Sequence, residues 1–398
     1  MACTCASKLF SMTNGSVVTL NSPRRFATTI KMSSNSLPPL PDDRIIVGFG
    51  MTTVDFLATV DGYPKPDDKV RTTSFKVQGG GNAGNALTCA ARLGLKPKLI
   101  SKVADDPHGY AILDELQADG VDTSFIVVSK GGSSTFSYVL VDSQTKTRTS
   151  IYTPGEPPIL LDDLSRLMLL SAFDVARLVY FDGMSTKTAL FVAQEAARNN
   201  IPILVEAESP REGLDELLML ADFVVCSARF PQAWTQAPSI PSALISMLSR
   251  LPKINFVIVT LGGDGCLMLE RSAIEDADLE EKDVESFLEF LYKKKDDSLA
   301  TPTCIPSVVT KFKTSGIGTI CGRFFIGTAE KIPDSELIDT TGAGDAFIGA
   351  IMYAICANMA PEKMLPFAAQ VAAAKCRALG ARTGLPYHTD LRLASYLS

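Results

Sequence analysis

Residues 339–350 read Asp-Thr-Thr-Gly-Ala-Gly-Asp-Ala-Phe-Ile-Gly-Ala, and the chain stays apolar to residue 354. The small residues at 342–344 leave main-chain N–H groups free at the start of a helix predicted over 346–354. Such a helix start favours an anion, through both its unpaired donors and the helix dipole. Asp345 then aims a carboxylate at the same spot. A carboxylate beside an anion cradle is electrostatically unfavourable unless it has a task there, such as taking the proton from an attacking hydroxyl.

A second glycine-rich stretch, QGGGNAGN at 78–85, precedes a helix predicted over 85–93. Asn82 and Asn85 offer donors and acceptors together, which suits neutral hydroxyls better than a pyrophosphate. Glycine lets the backbone come close to a ligand. Gly79-x-Gly81-x-x-Gly84 formally matches the dinucleotide fingerprint, with Asp105 and Asp106 about twenty residues on. That fingerprint belongs after a buried first strand, whereas 71–77 is polar and flap-like, so a dinucleotide oxidoreductase rests on these glycines alone.

Around the two loops, 45–50, 97–103, 175–181, 203–207, 223–226 and 256–261 read as strands, the first of them a buried apolar run. Periodic segments at 109–119, 185–199 and 241–251 predict helices. Alternation of this kind implies a mostly parallel sheet with helices on both faces. Two segments break it. Stretches 133–141 and 147–152 read as a hairpin of half-exposed strands, which with β-rich pieces in 56–76 predicts a β flap off the main sheet. Residues 271–313 carry EDADLEEKDVE and KKKDD, and read as an inserted surface element, part helical and part loose. The turn TLGGDG at 260–265 ends an apolar strand, as a loop against the phosphates or ribose of a nucleotide would. No Walker A loop is present, since GIGTICGR at 316–323 lacks the Lys-Ser/Thr pair.

Composition narrows the chemistry. The chain has 398 residues, 46% apolar and 21% charged, with a net charge of −6. That balance argues against binding nucleic acid through phosphate contacts, and no stretch reads as transmembrane. With only two histidines, His108 and His388, a His-dependent triad or multi-His metal site is close to excluded. Acid–base work falls to carboxylates. Nine cysteines without a C-x-x-C pair read as reduced thiols. The first 41 residues contain no Asp or Glu, four basic residues and twelve Ser or Thr. This is the composition of an organellar transit peptide over about 1–42, chloroplast first and mitochondrion second. Met32 offers an alternative start for a cytosolic form.

The early GGGNAGNALTCAARLG and the late DTTGAGDAFIGA, in this order and separation, resemble the two signatures of the ribokinase (PfkB) family of carbohydrate kinases. The resemblance spans residues 44–270 and 314–395. VGFGMTTVDFLATVDGYPKPDD, GGGNAGN and QVAAAKC are most similar to its ketohexokinase branch. It implies one α/β kinase domain over 43–398 with the three-layer ribokinase-like fold, and a small β-sheet lid with strands within about 55–78 and 133–152. It further implies ATP-dependent phosphorylation of a primary hydroxyl of a small sugar, with Mg²⁺ and K⁺ as ions. By the family pattern Asp345 is the catalytic base, and Gly342, Ala343 and Gly344 form the anion hole. Asp55 grips sugar hydroxyls with Gly81, Asn82 and Asn85, helped by Asp67 and by Arg148 from the flap. Gly262 and Gly265 line the ATP phosphates, Ala369 packs near adenine, and Asp339 with the Thr341 carbonyl holds the monovalent cation. One departure is clear. The Asn-x-x-Glu motif of many relatives is missing from 226–230, as it is from the ketohexokinase branch. A nucleoside kinase would share every motif. A non-catalytic organellar scaffold would be expected to carry a damaged Gly-Ala-Gly-Asp loop, and here the loop is intact. An exposed flap also suggests a homodimer through the lid.

Overall fold

The computed structural model describes residues 44–272, 280–314, 316 and 318–397, so the expected leader over 1–42 lies outside the described residues. The apolar run at 45–49 forms strand β1 (Ile45–Phe49), paired in parallel with β4 (Lys96–Ala104) on one side and β8 (Leu178–Phe181) on the other. Beyond β4 lies β5 (Ile126–Ser129). Beyond β8 follow β9 (Ile203–Ala207), β10 (Phe223–Ser227) and β11 (Phe256–Thr260), all parallel. Strands β1, β8, β10 and β11 are covered on both faces, and so read as nearly continuous apolar runs rather than alternating ones.

Alternate side chains feed two cores. Ile46, Leu178 and Leu204 point to the layer formed by α1 (Asn82–Arg92), α9 (Ala343–Cys356) and α10 (Pro361–Lys375). Val47, Phe49 and Val205 point to the opposite layer, with α4 (Thr186–Arg198) and α7 (Ile240–Arg250). This is the expected three-layer arrangement.

Past β11 the sheet turns antiparallel through β12 (Cys266–Arg271) and β16 (Gly318–Gly327). The described part of the charged segment extends that edge. It contributes β13 (Glu281–Asp283), the helix α8 (Val284–Tyr292), β14 (Cys304–Pro306) and β15 (Thr310–Thr314). Asp283 caps α8 through the Ser286 N–H, and Val284, Leu288 and Leu291 bury one stripe of it. The acidic and lysine runs dominate the composition, but the buried stripe and the ring contacts of Phe312 with Phe287 (5.0 Å) and Phe324 (4.8 Å) make the segment a packed edge of the sheet.

A separate four-stranded sheet forms the lid. Its strands are β2 (Thr53–Val60), β3 (Ser74–Gly80), β6 (Phe136–Asp142) and β7 (Arg148–Thr153), in the order β3-β2-β6-β7. The period of two splits it into faces. Asp55, Leu57, Ser137 and Val139 are buried, whereas Val77, Phe56, Tyr138 and Ile151 stand in register across the outer face.

Candidate active site

The late loop and the early loop meet because α9 packs directly on α1. A Cβ at Gly349 would lie 2.6 Å from the Cβ of Cys89, so glycine is what allows this approach. Gly342 precedes α9 with φ +75°, and a Cβ there would lie 2.6 Å from that of Ala381. This turn aims the first turn of α9, with Asp345 on it, back at α1. The result is direct contact between residues far apart in the chain: Asn85 Nδ2 donates to Asp345 Oδ2 at 2.7 Å.

Asp345 is buried, and burial pushes its carboxyl up to about 6. The Asn85 hydrogen bond and the Arg148 charge oppose the rise, while Glu208 and Asp55 add to it. Glu206 is raised well above the ordinary carboxylate range, first by burial and then by Asp345. It accepts hydrogen bonds from Tyr180 Oη and, at 3.2 Å, from Asn82 Nδ2, and among the described residues nothing donates to the Asn82 amide oxygen. Asp182 is also raised to about 6 by burial, against the pull of the Met51 and Met184 N–H groups. Asp55 accepts from Thr53 Oγ1 at 2.7 Å, and burial raises its carboxyl too.

Asp345, Asn85, Glu206, Asn82 and Asp55 line a cavity of about 500 Å³ between lid and sheet, with Gly81, Ser137, Arg148, Arg211, Thr341, Gly342 and Gly344. A more apolar groove of about 400 Å³ runs along the other side of the same loop, lined by Gly262, Gly265, Phe347, Ala343 and Ala369. The two spaces share Thr260 and Gly344 as walls. Asp345 therefore stands where they join. The junction is open, since a Cβ at Gly344 or Gly263 would meet nothing within 4 Å. Among the described residues the N–H groups of Gly344 and Asp345 donate no main-chain bond, whereas that of Ala343 is bound by the Thr340 carbonyl at 3.2 Å. Within the Gly-Ala-Gly triplet the Ala343 N–H is thus already engaged, and the free donors extend to Asp345.

Of the other expected positions, Arg148 reaches from β7 to within 3.4 Å of Thr340 Oγ1. Asp67 is not brought to the cavity. It is exposed, with φ +68°, in the connection after β2. Asp106, which the dinucleotide fingerprint would need on a ribose, caps the helix α2 (Pro107–Ala118) and binds Ser134. Moreover, the strand before the glycine loop is β3 of the lid rather than a central strand, so the oxidoreductase reading fails. Asp339 does not present an open carboxylate to a metal. One of its oxygens accepts from Thr341 N and Oγ1, the other from Gly380 N at 2.8 Å, and its carbonyl accepts from Lys375 Nζ at 2.6 Å.

Two buried cations were missed in the sequence. Lys375 is one. The other is Arg382, 1% exposed, which donates to Asn85 Oδ1 (3.0 Å) and the Gly80 carbonyl (2.9 Å) and pairs with Glu115 (3.5 Å). Arg382 fixes the Asn85 amide with its NH₂ toward Asp345. Its only sequence signal is a single charge in the small, apolar run 378–385.

The profile of the pfkB family carbohydrate kinases matches residues 44–285 and 326–387. The chain belongs to that family. The gap in the match, 286–325, falls on the added sheet edge. Mouse ribokinase is 22% identical over 360 residues, covering 88% of this chain and 94% of that protein. Mouse ketohexokinase is 22% identical over 346 residues, covering 84% and 97%. Among solved structures, Arabidopsis thaliana ribokinase complexed with ribose and ATP superposes with a TM-score of 0.62 at 18% identity, covering 89% of this chain and 99% of that one. The fold is therefore ribokinase-like, and the chain is a carbohydrate kinase of this family.

Proposed function

We propose that this kinase transfers the γ-phosphoryl group of ATP to a primary hydroxyl of a small sugar, with Asp345 as general base. The observation that carries the reading is the position of the Asp345 carboxylate, bonded to Asn85 at the junction of a polar cavity and an apolar groove. In this reading the sugar occupies the polar cavity, held by Asp55, Asn82 and Asn85, while adenine lies in the groove near Ala369 and the phosphates reach the junction past Gly262 and Gly265.

Asp345 takes the proton as the hydroxyl oxygen attacks phosphorus in line, and ADP leaves with the electron pair of the broken P–O bond. The N–H groups of Gly344 and Asp345, at the positive end of α9, face the charge that develops on the transferring group. Arg148 adds a positive charge from the lid. Lid side chains Asp55, Ser137 and Val139 roof the cavity, which limits water and hence wasteful ATP hydrolysis. A raised carboxyl suits the task, because a base that titrates near the working pH is a better proton acceptor. Among the described residues no group of three or more His, Cys, Asp or Glu side chains is placed to hold a metal. In this reading Mg²⁺ arrives with the nucleotide, where it would neutralise phosphate charge.

The outer lid face supports a second copy as partner. Phe75, Val77, Tyr138 and Ile151 are 48–62% exposed on one four-stranded sheet, a patch whose apolar side chains a symmetric contact would cover.

The test is coupled ADP release across fructose, ribose, other small sugars and nucleosides. ADP release that depends on a small sugar supports the reading. Release with nucleosides alone replaces it with a nucleoside kinase, and the absence of release with any acceptor refutes catalysis.

A further inference from the structure

Lys375 closes α10, and its side chain is 0% exposed. An unpaired ammonium in such a place costs several kcal/mol, so its partners are the point of interest. They are all oxygens from two loops. The Asp339 carbonyl accepts at 2.6 Å, the Ala378 carbonyl stands at 3.5 Å, and Asp339 Oδ2 lies 3.9 Å away. Burial lowers the lysine pKa and the Asp339 charge opposes that fall.

The family resemblance expects a monovalent ion held by Asp339 and the Thr341 carbonyl. The Asp339 half of that site does not fit it, because the Asp339 carbonyl serves the Lys375 ammonium and both carboxylate oxygens serve N–H and O–H donors. Main-chain carbonyls plus one carboxylate are the shell a K⁺ ion takes, and here an ammonium occupies it. The shell also lies where it matters. Residues 339–341 run straight into Gly342 and the anion turn, while 376–380 run into Ala381, on which Gly342 rests.

We propose that the Lys375 ammonium is a tethered monovalent cation, which braces the 339–342 turn against the 376–381 loop and makes the enzyme independent of K⁺. Lys375 is a positioning residue, acting on the phosphate cradle through Asp339. This rests on the kinase reading for its catalytic readout only.

Two measurements test it. The parent enzyme is assayed and melted in tetramethylammonium buffer with and without KCl. Lys375→Ala, which deletes the ammonium and leaves space, is treated in the same way, with NH₄Cl as a further arm. The parent should show the same turnover and melting midpoint with and without K⁺. Lys375→Ala should lose about tenfold or more in kcat without K⁺ and regain it with K⁺ or NH₄⁺. Its melting midpoint should rise with those ions while the parent's does not. Activation of the parent by K⁺ of about tenfold or more, or a K⁺-dependent rise in its melting midpoint, overturns the proposal. So does a Lys375→Ala protein that works and melts like the parent in the absence of K⁺. If the variant does not fold, the parent's response to K⁺ decides alone. The melting arm needs no turnover, so it stands even if no acceptor is found and the kinase reading fails.

Discussion

Replacing Asp345 with asparagine keeps the size of the side chain and an oxygen for the Asn85 amide, and removes only the proton acceptor. Loss of a general base costs about 10²–10⁴ in rate, and kcat is expected to fall by that factor while sugar affinity holds. The same change should stabilise the protein. Burial raises the carboxyl from 3.8 to about 6, so the folded state binds its proton more tightly than the unfolded chain does. At about 1.36 kcal/mol per pH unit, keeping it ionised costs the fold up to about 3 kcal/mol at neutral pH. Glu206 lines the same cavity and is itself raised by the Asp345 charge, so the two carboxyls titrate together, which brings the expected gain to about 1–3 kcal/mol. The sign follows from linkage. The parent loses stability as pH rises from about 4 to about 7, and the variant, without the titrating group, does not. Urea unfolding of both proteins at pH 4.5, 6 and 8, beside coupled ADP release and calorimetric sugar binding, provides the test. Parent-level turnover in the variant refutes the base assignment. Equal stability of the two proteins at pH 8 refutes the argument that burial destabilises the ionised carboxylate.

Four further outcomes are expected. The kcat/KM profile of the parent should fall below pH about 6 with unit slope as Asp345 takes up its proton; a rate that is flat down to pH 5 contradicts this. Gly342→Ala forces a Cβ to 2.6 Å from Ala381 at φ +75°. It should cost about 1–2 kcal/mol from backbone handedness alone, plus about tenfold or more in kcat, read by unfolding and by ADP release. Arg382→Leu leaves Glu115, Asn85 and the Gly80 carbonyl without their buried cation and should cost about 3–5 kcal/mol in urea unfolding, with Arg382→Lys recovering part; a loss below about 1 kcal/mol would refute the role of the buried cation. On the proposed lid-to-lid pairing the parent should sediment as a dimer and Ile151→Asp as a monomer; a monomeric parent, or an unchanged coefficient in the variant, removes the lid face as the dimer contact.

The parts of the molecule that were legible in the sequence are those whose signal is local. Runs such as 223–226 and 256–259 are apolar because both faces of the central strands are covered, and the alternation at 136–142 marks a half-exposed sheet. Helix starts were less legible. Helix α1 begins at Asn82, three residues before the apolar period suggests, because Gly81 caps it with a positive φ. Within the site, Asp345 and the glycines carry local chemistry and were found. Their contact with Asn85 spans 260 residues; only the resemblance anticipated it, because nothing in either loop encodes the other. Lys375 and Arg382 were missed for a related reason. Basic residues are normally solvated, and their burial comes from packing between elements distant in the chain. Asp67 is a different case: its motif matches, while within this chain it lies in an exposed connection and does not line the cavity.

The most direct measurement is a crystal structure with a small sugar and a non-hydrolysable ATP analogue bound together. The account predicts a primary hydroxyl oxygen within hydrogen-bond reach of an Asp345 carboxylate oxygen, and the γ-phosphate against the Gly344 and Asp345 N–H groups. A sugar bound away from Asp345, or a nucleotide whose terminal phosphate lies outside the junction at Gly344, would contradict it.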